Sequence, residues 1–386
     1  MDPDKKAITI DDDLWDKLIA LTGGEAARCY QCGTCTATCP WGLVKDETVS
    51  VREFIRRVQL GLASTEALWL CTTCAKCEAY CPRGVDIAEV FRALRAVAWE
   101  QRETPEGLPS LLWSIYWNDN PWEQPPSQRT QWAADLDLPR FDPAAHELLY
   151  YVGSAAAYDR RTQSVARSLV RVLRAAGVAF GVLGNDEPPS GADVLDVGHR
   201  AFFEEIAANS AEVFREQGVT RLITTSPHAY DAFKNHYPAV GDDFEPLHYT
   251  QFLAELLDAG RLSLTTLVDL TVAFHDPCYL ARHNAETEAP RRVLAAVPGL
   301  RLVEMESAGV DTLCCGGGGG RMWQETAAGE RFADLRVEEA LAAEIDVLAT
   351  ACPYCIACLE DSLKARGLED LRVMDVAEIV AKSVEG

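Results

Sequence analysis

Two cysteine strings have the residue types and spacing to do chemistry. The first is Cys29-x2-Cys32-x2-Cys35-x3-Cys39-Pro40 and the second is Cys71-x2-Cys74-x2-Cys77-x3-Cys81-Pro82. Two-residue gaps let a tight loop set three thiolates on three iron corners of a cubane [4Fe–4S] cluster. The fourth corner faces away from that loop, and in paired runs of this spacing the last cysteine of each run serves the other run's cluster. The wiring read from this is Cys29, Cys32, Cys35 and Cys81 on one cluster, and Cys71, Cys74, Cys77 and Cys39 on the second. The proline after each run stops the loop from continuing as helix. The same cysteines would also supply two four-ligand zinc sites and hence a zinc-stabilised scaffold. Zinc ribbons, however, need neither the third C-x2-C step nor the x3-C-P ending, and this chain has both twice.

A third constellation lies far downstream: Cys278, then Cys314-Cys315-Gly316, then Cys352-Pro353-Tyr354-Cys355. Each group falls at or just after the end of a predicted strand, the edge of an open parallel sheet where ligands collect. Adjacent cysteines cannot both turn onto one tetrahedral ion without strain, so Cys314 and Cys315 suit a larger, irregular group of metal atoms. Gly316 to Gly320 let backbone approach that group closely, and no Gly-Lys-Ser/Thr ending follows to make them a phosphate loop. His275 and Asp276 precede Cys278, where they can hydrogen-bond a cluster or its substrate, or simply end a strand.

The elements that must position these thiols are legible as periodicity. An acidic and then amphipathic stretch over 12–22 predicts a short helix leading to Cys29. Ser50-Val51-Arg52-Glu53 has the pattern of a capping box, with Val51, Phe54, Ile55 and Val58 at helical spacing and Gly61 as a stop. Asp86 caps a helix carrying Ile87, Val90, Phe91, Leu94 and Val97 on one face. Over 104–145, Trp113, Trp117, Trp122 and Trp132 are mixed with Pro121, Pro125 and Pro126, which predicts a wrapping linker with its aromatics docked on a neighbour. From Leu148 on, strands and helices alternate: strand 149–152, helix 162–176, strand 178–183, helix 200–217 and strand 222–225. The order returns as strand 270–275, helix 287–296, strand 300–305, helix 326–344, strand 347–351 and helix 353–366. Alternation of this kind means parallel α/β, and its return suggests an internal duplication.

The chain has 386 residues, enough for two or three domains. The expected fold class is α+β multidomain: an N-terminal all-α two-cluster ferredoxin module, then two α/β parallel-sheet half-domains. The expected boundaries are 1–105 for the module, 106–147 for the linker, 148–262 for the first half and 263–386 for the second. A formal net charge of −23 argues against nucleic acid as a partner, while it can steer a basic protein. Met1–Lys6 has no apolar core of a secretion signal, and no run reaches membrane-helix length. Fourteen cysteines in such a chain are expected to be reduced thiolates in the cytoplasm, not disulfides.

These segments together resemble the cysteine-rich (CCG-domain) family typified by heterodisulfide reductase, in the D-type arrangement with a two-cubane module ahead of a duplicated CCG domain. The resemblance is carried by both cysteine runs, Val58-Gln59-Leu60-Gly61-Leu62, His275-Asp276-Pro277-Cys278-Tyr279, Leu313-Cys314-Cys315-Gly316-Gly317 and Cys352-Pro353-Tyr354-Cys355. It implies a non-cubane [4Fe–4S] cluster on Cys278, Cys314, Cys315, Cys352 and Cys355, with Cys358 outside the pattern as a spare buried thiol.

The first half departs from the pattern. Thr225-Ser226-Pro227-His228-Ala229 lines up with Ala351-Cys352-Pro353-Tyr354-Cys355, Pro188-Pro189-Ser190-Gly191 with Leu313-Cys314-Cys315-Gly316, and Ser154 stands where Val-Gly-Cys is usual. That half is expected to hold no cluster and to serve as scaffold or partner surface. The function implied is an iron–sulfur electron-transfer subunit of a cytoplasmic redox complex, with a flavoprotein partner, other subunits and a possible membrane-anchored one. The alternative is a disulfide or thiol reductase acting at the single non-cubane cluster.

Overall fold

The computed structural model describes residues 10–44, 49–62, 66–241, 244–327 and 329–384. The reading of Met1–Lys6 and residue 328 of the expected helix 326–344 lie outside them. Before residue 147 the described elements are helices: Leu14–Leu21, Thr34–Thr38, Trp41–Val44, Val51–Gln59, Lys76–Ala79, Ile87–Gln101 and Gly107–Asn118, with short 3-10 turns. Ser50 Oγ accepts from the Glu53 N–H at 3.2 Å, and Asp86 Oδ1 from the Glu89 N–H at 2.7 Å. Both side chains thus satisfy donors that a helix start leaves open.

Eight strands follow in two sheets. Strands β1 (Leu148–Tyr151), β2 (Phe180–Gly181), β3 (Arg221–Thr224) and β4 (Glu245–His248) lie in the order β2-β1-β3-β4. Strands β5 (Thr271–Phe274), β6 (Arg301–Val303), β7 (Val347–Thr350) and β8 (Arg372–Asp375) repeat it as β6-β5-β7-β8. Every pairing is parallel, so the helices between strands cross over the sheet faces.

Several expectations need correction. The strand expected over 178–183 is two residues long, because Val182 exchanges hydrogen bonds of 3.0 Å with Pro139 and Phe141 of the incoming linker. Strands β4 and β8 were not expected. Pro246 inside β4 is tolerated because that strand is a sheet edge. The linker tryptophans divide: Trp132 is buried and Trp122 lies 5.0 Å from Trp323, but Trp113 and Trp117 on helix Gly107–Asn118 are 61% and 69% exposed. The expected helix 326–344 is shorter, Phe332–Ala342.

The first half is the middle layer. Leu148 and Tyr150 of β1 join a core shared with the second half, whereas Leu149 and Tyr151 join a core shared with the N-terminal helices. Alternate side chains of a strand point to opposite faces, so a single four-residue strand, buried throughout, glues both neighbours. Helix Arg160–Ala175 is tied to the second half by Arg161. Its guanidinium donates to Glu378 at 2.8 and 2.9 Å and to the Val373 carbonyl at 3.1 Å, and it also pairs with Glu360. Replacing it by methionine, Arg161→Met, should lower the unfolding free energy by about 2–3 kcal/mol, the scale of a lost charged hydrogen-bond set, as measured by anaerobic urea titration.

Candidate metal centres

The two cysteine runs cross. Helices Thr34–Thr38 and Lys76–Ala79, one from each run, lie against each other. One cavity is lined by Cys29, Cys32, Cys35 and Cys81 with Ile55 and Ile87, and a second by Cys39, Cys71, Cys74 and Cys77 with Trp41 and Phe91. The last cysteine of each run therefore sits among the first three of the other. Gln31, Thr73 and Ala75 inside these loops hold left-handed backbone at φ 66°, 50° and 56°. Conformations of this kind cost on the order of 1–3 kcal/mol each and persist where the surroundings enforce them.

The two cavities differ in depth. Cys32 and Tyr30 at the first are exposed, whereas burial pushes the Cys39 thiol up to about 12 and the Cys71 thiol up to about 11 at the second. Such thiols give up their protons to a bound cation, which couples metal binding to deprotonation.

The third group gathers at the carboxyl ends of β5 and β7 and in the loop after β6, the switch point of its sheet. Cys278, Cys314, Cys315, Cys352 and Cys355 are all buried. Cys278 and Cys314 share one buried cluster with Tyr279 and Phe332, and the sulfurs of Cys315 and Cys355 lie within 4.8 Å of each other. Cys74 of the second group packs in that same buried cluster, and Cys314 Sγ lies 3.6 Å from Oγ1 of Thr72, which lines the second cavity, so the second and third groups meet. Cys358, expected to be buried, is half-buried and faces the same cavity as Cys315. That cavity, of about 620 Å3, is also lined by Arg321 and Phe332.

Close approach by the glycine run is directed at the second cysteine loop. A Cβ on Gly318 would fall 2.4 Å from the Thr72 carbonyl, and one on Gly319, at φ +62°, 2.2 Å from the Cys71 carbonyl. Asp276 is a structural residue: it accepts from Arg291 at 2.6 and 2.9 Å and from the Gly309 N–H at 2.7 Å.

Residues that motif reasoning passed over lock this arrangement. Arg95, fully buried, donates to the carbonyls of Cys71 at 2.5 Å, Leu68 at 3.3 Å, Asp196 at 2.6 Å and Gly319 at 3.1 Å. It thereby joins the second cysteine loop, the first half and the glycine run. Arg282 reaches the Cys74 carbonyl at 2.6 Å and the Thr312 carbonyl at 2.7 Å. The available signal was Arg95, four residues after Phe91 and so beside the apolar face of that helix, where a solvated cation is out of place.

In the first half, the positions aligned with cysteines do other work. Ser226 Oγ caps helix Pro227–Asp231 by accepting from the Ala229 N–H at 3.2 Å. His228 is buried, with Nδ1 3.1 Å from Asp196 Oδ2 and its ring stacked 3.9 Å from Tyr279, the neighbour of Cys278. Tyr279 in turn meets Thr73 Oγ1 at 2.7 Å, Arg92 at 3.2 Å and Asp196. Burial opposes a charge on His228, but Asp196 overrides it and raises the imidazole to about 9, while Asp196 itself is held down at about 2. Asp193, Cys352, Tyr354 and Arg92 also face this pair.

The donor sets are sulfur throughout, in reduced form, with no carboxylate among them, which fits iron–sulfur clusters better than hard cations. Comparison with known proteins agrees. A "4Fe-4S dicluster domain" matches residues 25–85, and a "Cysteine-rich domain", CCG, matches twice, at 148–233 and 272–360. The chain therefore carries one 4Fe–4S dicluster domain and two CCG domains. The matches support 4Fe–4S binding and reach the half that lacks cysteines. The chain is 37% identical to the "Probable iron-sulfur-binding oxidoreductase FadF" of Bacillus subtilis, over 83% of this chain and 47% of that protein. It is 33% identical to the "EtfAB:quinone oxidoreductase" of Syntrophomonas wolfei, over 84% and 47%. It is 28% identical to the D-type component of the "Dihydromethanophenazine:CoB--CoM heterodisulfide reductase" of Methanosarcina barkeri, over 93% and 94%. The chain thus spans about half the length of the first two relatives and nearly all of the third.

Two outcomes are expected. Arg95→Leu leaves four carbonyls without their donor and should cost at least about 3 kcal/mol in anaerobic denaturant unfolding. His228 binds its proton more tightly folded, at about 9, than at its ordinary value of 6.5. Its bond to Asp196 therefore stabilises fully below pH 6.5 and fades as pH rises through 9. The stability gap between wild type and His228→Gln should narrow across that window.

Proposed function

We propose that this chain is an iron–sulfur electron-transfer subunit of a larger oxidoreductase complex, working in the cytoplasm. Cys29, Cys32, Cys35 and Cys81 hold one cubane [4Fe–4S] cluster, and Cys39, Cys71, Cys74 and Cys77 hold a second, in an all-α module of about a hundred residues by the usual size of small domains. Cys278, Cys314, Cys315, Cys352 and Cys355 hold a non-cubane cluster in the second CCG half, and the first half holds none. Bound clusters supply one-electron chemistry, and the protein sets their spacing, potential and access. The observation that supports a relay most is the packing of Cys74 of the second site in one buried cluster with Cys278 and Cys314 of the third. The exposure of Cys32 and Tyr30 supports the first site as the face turned to a redox partner.

A flavoprotein is the partner favoured by the relative named as an EtfAB:quinone oxidoreductase. A membrane-anchored protein is a second partner, favoured by a relative in Chromohalobacter salexigens named a "Probable membrane-anchored ferredoxin". No helix among the described residues is long and apolar enough to cross a membrane. The cavity of about 620 Å3 at Cys315 and Cys358 favours a second reading, reduction of a small disulfide at the third cluster.

Anaerobically purified protein should contain about twelve iron and twelve sulfide per chain, three four-iron clusters. Cys39→Ser should remove about four of each from the second cubane and leave the first intact by EPR and Mössbauer spectroscopy. Loss of the first cubane instead would overturn the crossed wiring, and about sixteen iron would mean a cluster in the cysteine-free half.

A further inference from the structure

His275 is one per cent exposed at the end of β5, and its Nε2 has no hydrogen-bond partner among the described residues. A buried donor or acceptor left unpaired is costly, so this atom calls for a partner the protein chain does not supply. The other ring nitrogen is committed: Nδ1 lies 3.1 Å from Nε of Arg336. Arg336 is itself fully buried, held by the Ser307 carbonyl at 2.8 Å and by Glu339. A guanidinium has only donors to offer. Nδ1 must therefore present its lone pair, and in the neutral ring the proton resides on Nε2.

A ring nitrogen of His275 and the sulfurs of Cys315 and Cys355 lie within 4.8 Å of one another. Since Nδ1 faces Arg336, the nitrogen free to serve those sulfurs is Nε2. Three such groups can look like a metal site, but a nitrogen ligand needs a lone pair. Ligation through Nε2 would move the proton to Nδ1 and set two N–H groups against each other at Arg336.

We propose that His275 is a hydrogen-bond donor, not a ligand, to the sulfur of the cluster held by Cys315 and Cys355, with Arg336 as the residue that fixes its tautomer. This rests on the third cluster proposed above. An N–H aimed at cluster sulfur stabilises the charge added on reduction and so raises the reduction potential. Asp276, the neighbour in the His-Asp pair, takes no part, being spent on Arg291 and Gly309.

The test uses full-length holoprotein. In wild type labelled with 15N-histidine, the paramagnetic third cluster should show one weak 15N coupling and one exchangeable proton by ENDOR. In His275→Leu, iron and sulfide should stay at the wild-type level while the third cluster's midpoint potential falls. His275→Gln, which keeps an N–H, should fall less. A strong coupling typical of a bound nitrogen, no coupling at all, or an unchanged potential in the fully loaded Leu variant would overturn the proposal. Should the Leu variant fail to fold, the labelled wild type decides alone. A wild type with eight iron per chain and no third signal would instead bring down the underlying reading of the site.

Discussion

One buried guanidinium constrains the whole molecule. Arg95 donates to carbonyls from the second cysteine loop, the first half and the glycine run of the second half. A fully buried cation is tolerable only when hydrogen bonds replace its water, so these three segments are positioned by the same need. Arg282 acts similarly on the other side, where it binds Cys74 and Thr312. Gly318 and Gly319 have no side chains because Thr72 and Cys71 occupy that space. The packing of Cys74 in one cluster with Cys314 follows from these restraints more than from either cysteine motif.

The half that lacks cysteines is the keel of the structure. Both faces of β1 are buried, one toward each neighbour. At the place where its partner half has Cys352 and Cys355, it carries Ser226 as a helix cap and His228 paired with Asp196. Beside them a polar network ties Tyr279 to Thr73 and Arg92. That network holds the residue beside Cys278 against the second cysteine loop. The fold of this half is kept in place by packing, since the two faces of β1 join the core of each neighbour.

The environments of the three thiol groups are graded. The first is open to solvent at Cys32, the second is buried beside Arg95, and the third has the buried His275 ring against Cys315 and Cys355. Burial, hydrogen bonds to sulfur and nearby charge are the main levers on a cluster's potential. All three vary from site to site along this chain.

Much was legible from the sequence alone. Cysteine spacing is a local property, and the stereochemistry of a cubane translates it directly into a motif. Strand and helix periodicity located six of the eight strands and the parallel architecture, because burial imposes its period on the residues themselves. Edge strands β4 and β8 escaped, β4 because Pro246 interrupts it and β8 because Arg372 and Asp375 leave only two apolar residues between them. The exposed Trp113 and Trp117 escaped because hydrophobicity does not say whether a helix face is covered. Arg95, Arg336, His228 and the packing of Cys74 with Cys314 were decided only by tertiary structure. Each depends on groups far apart in the chain meeting in a buried place, where an unpaired charge or N–H must find a partner, and no local pattern encodes which one it finds.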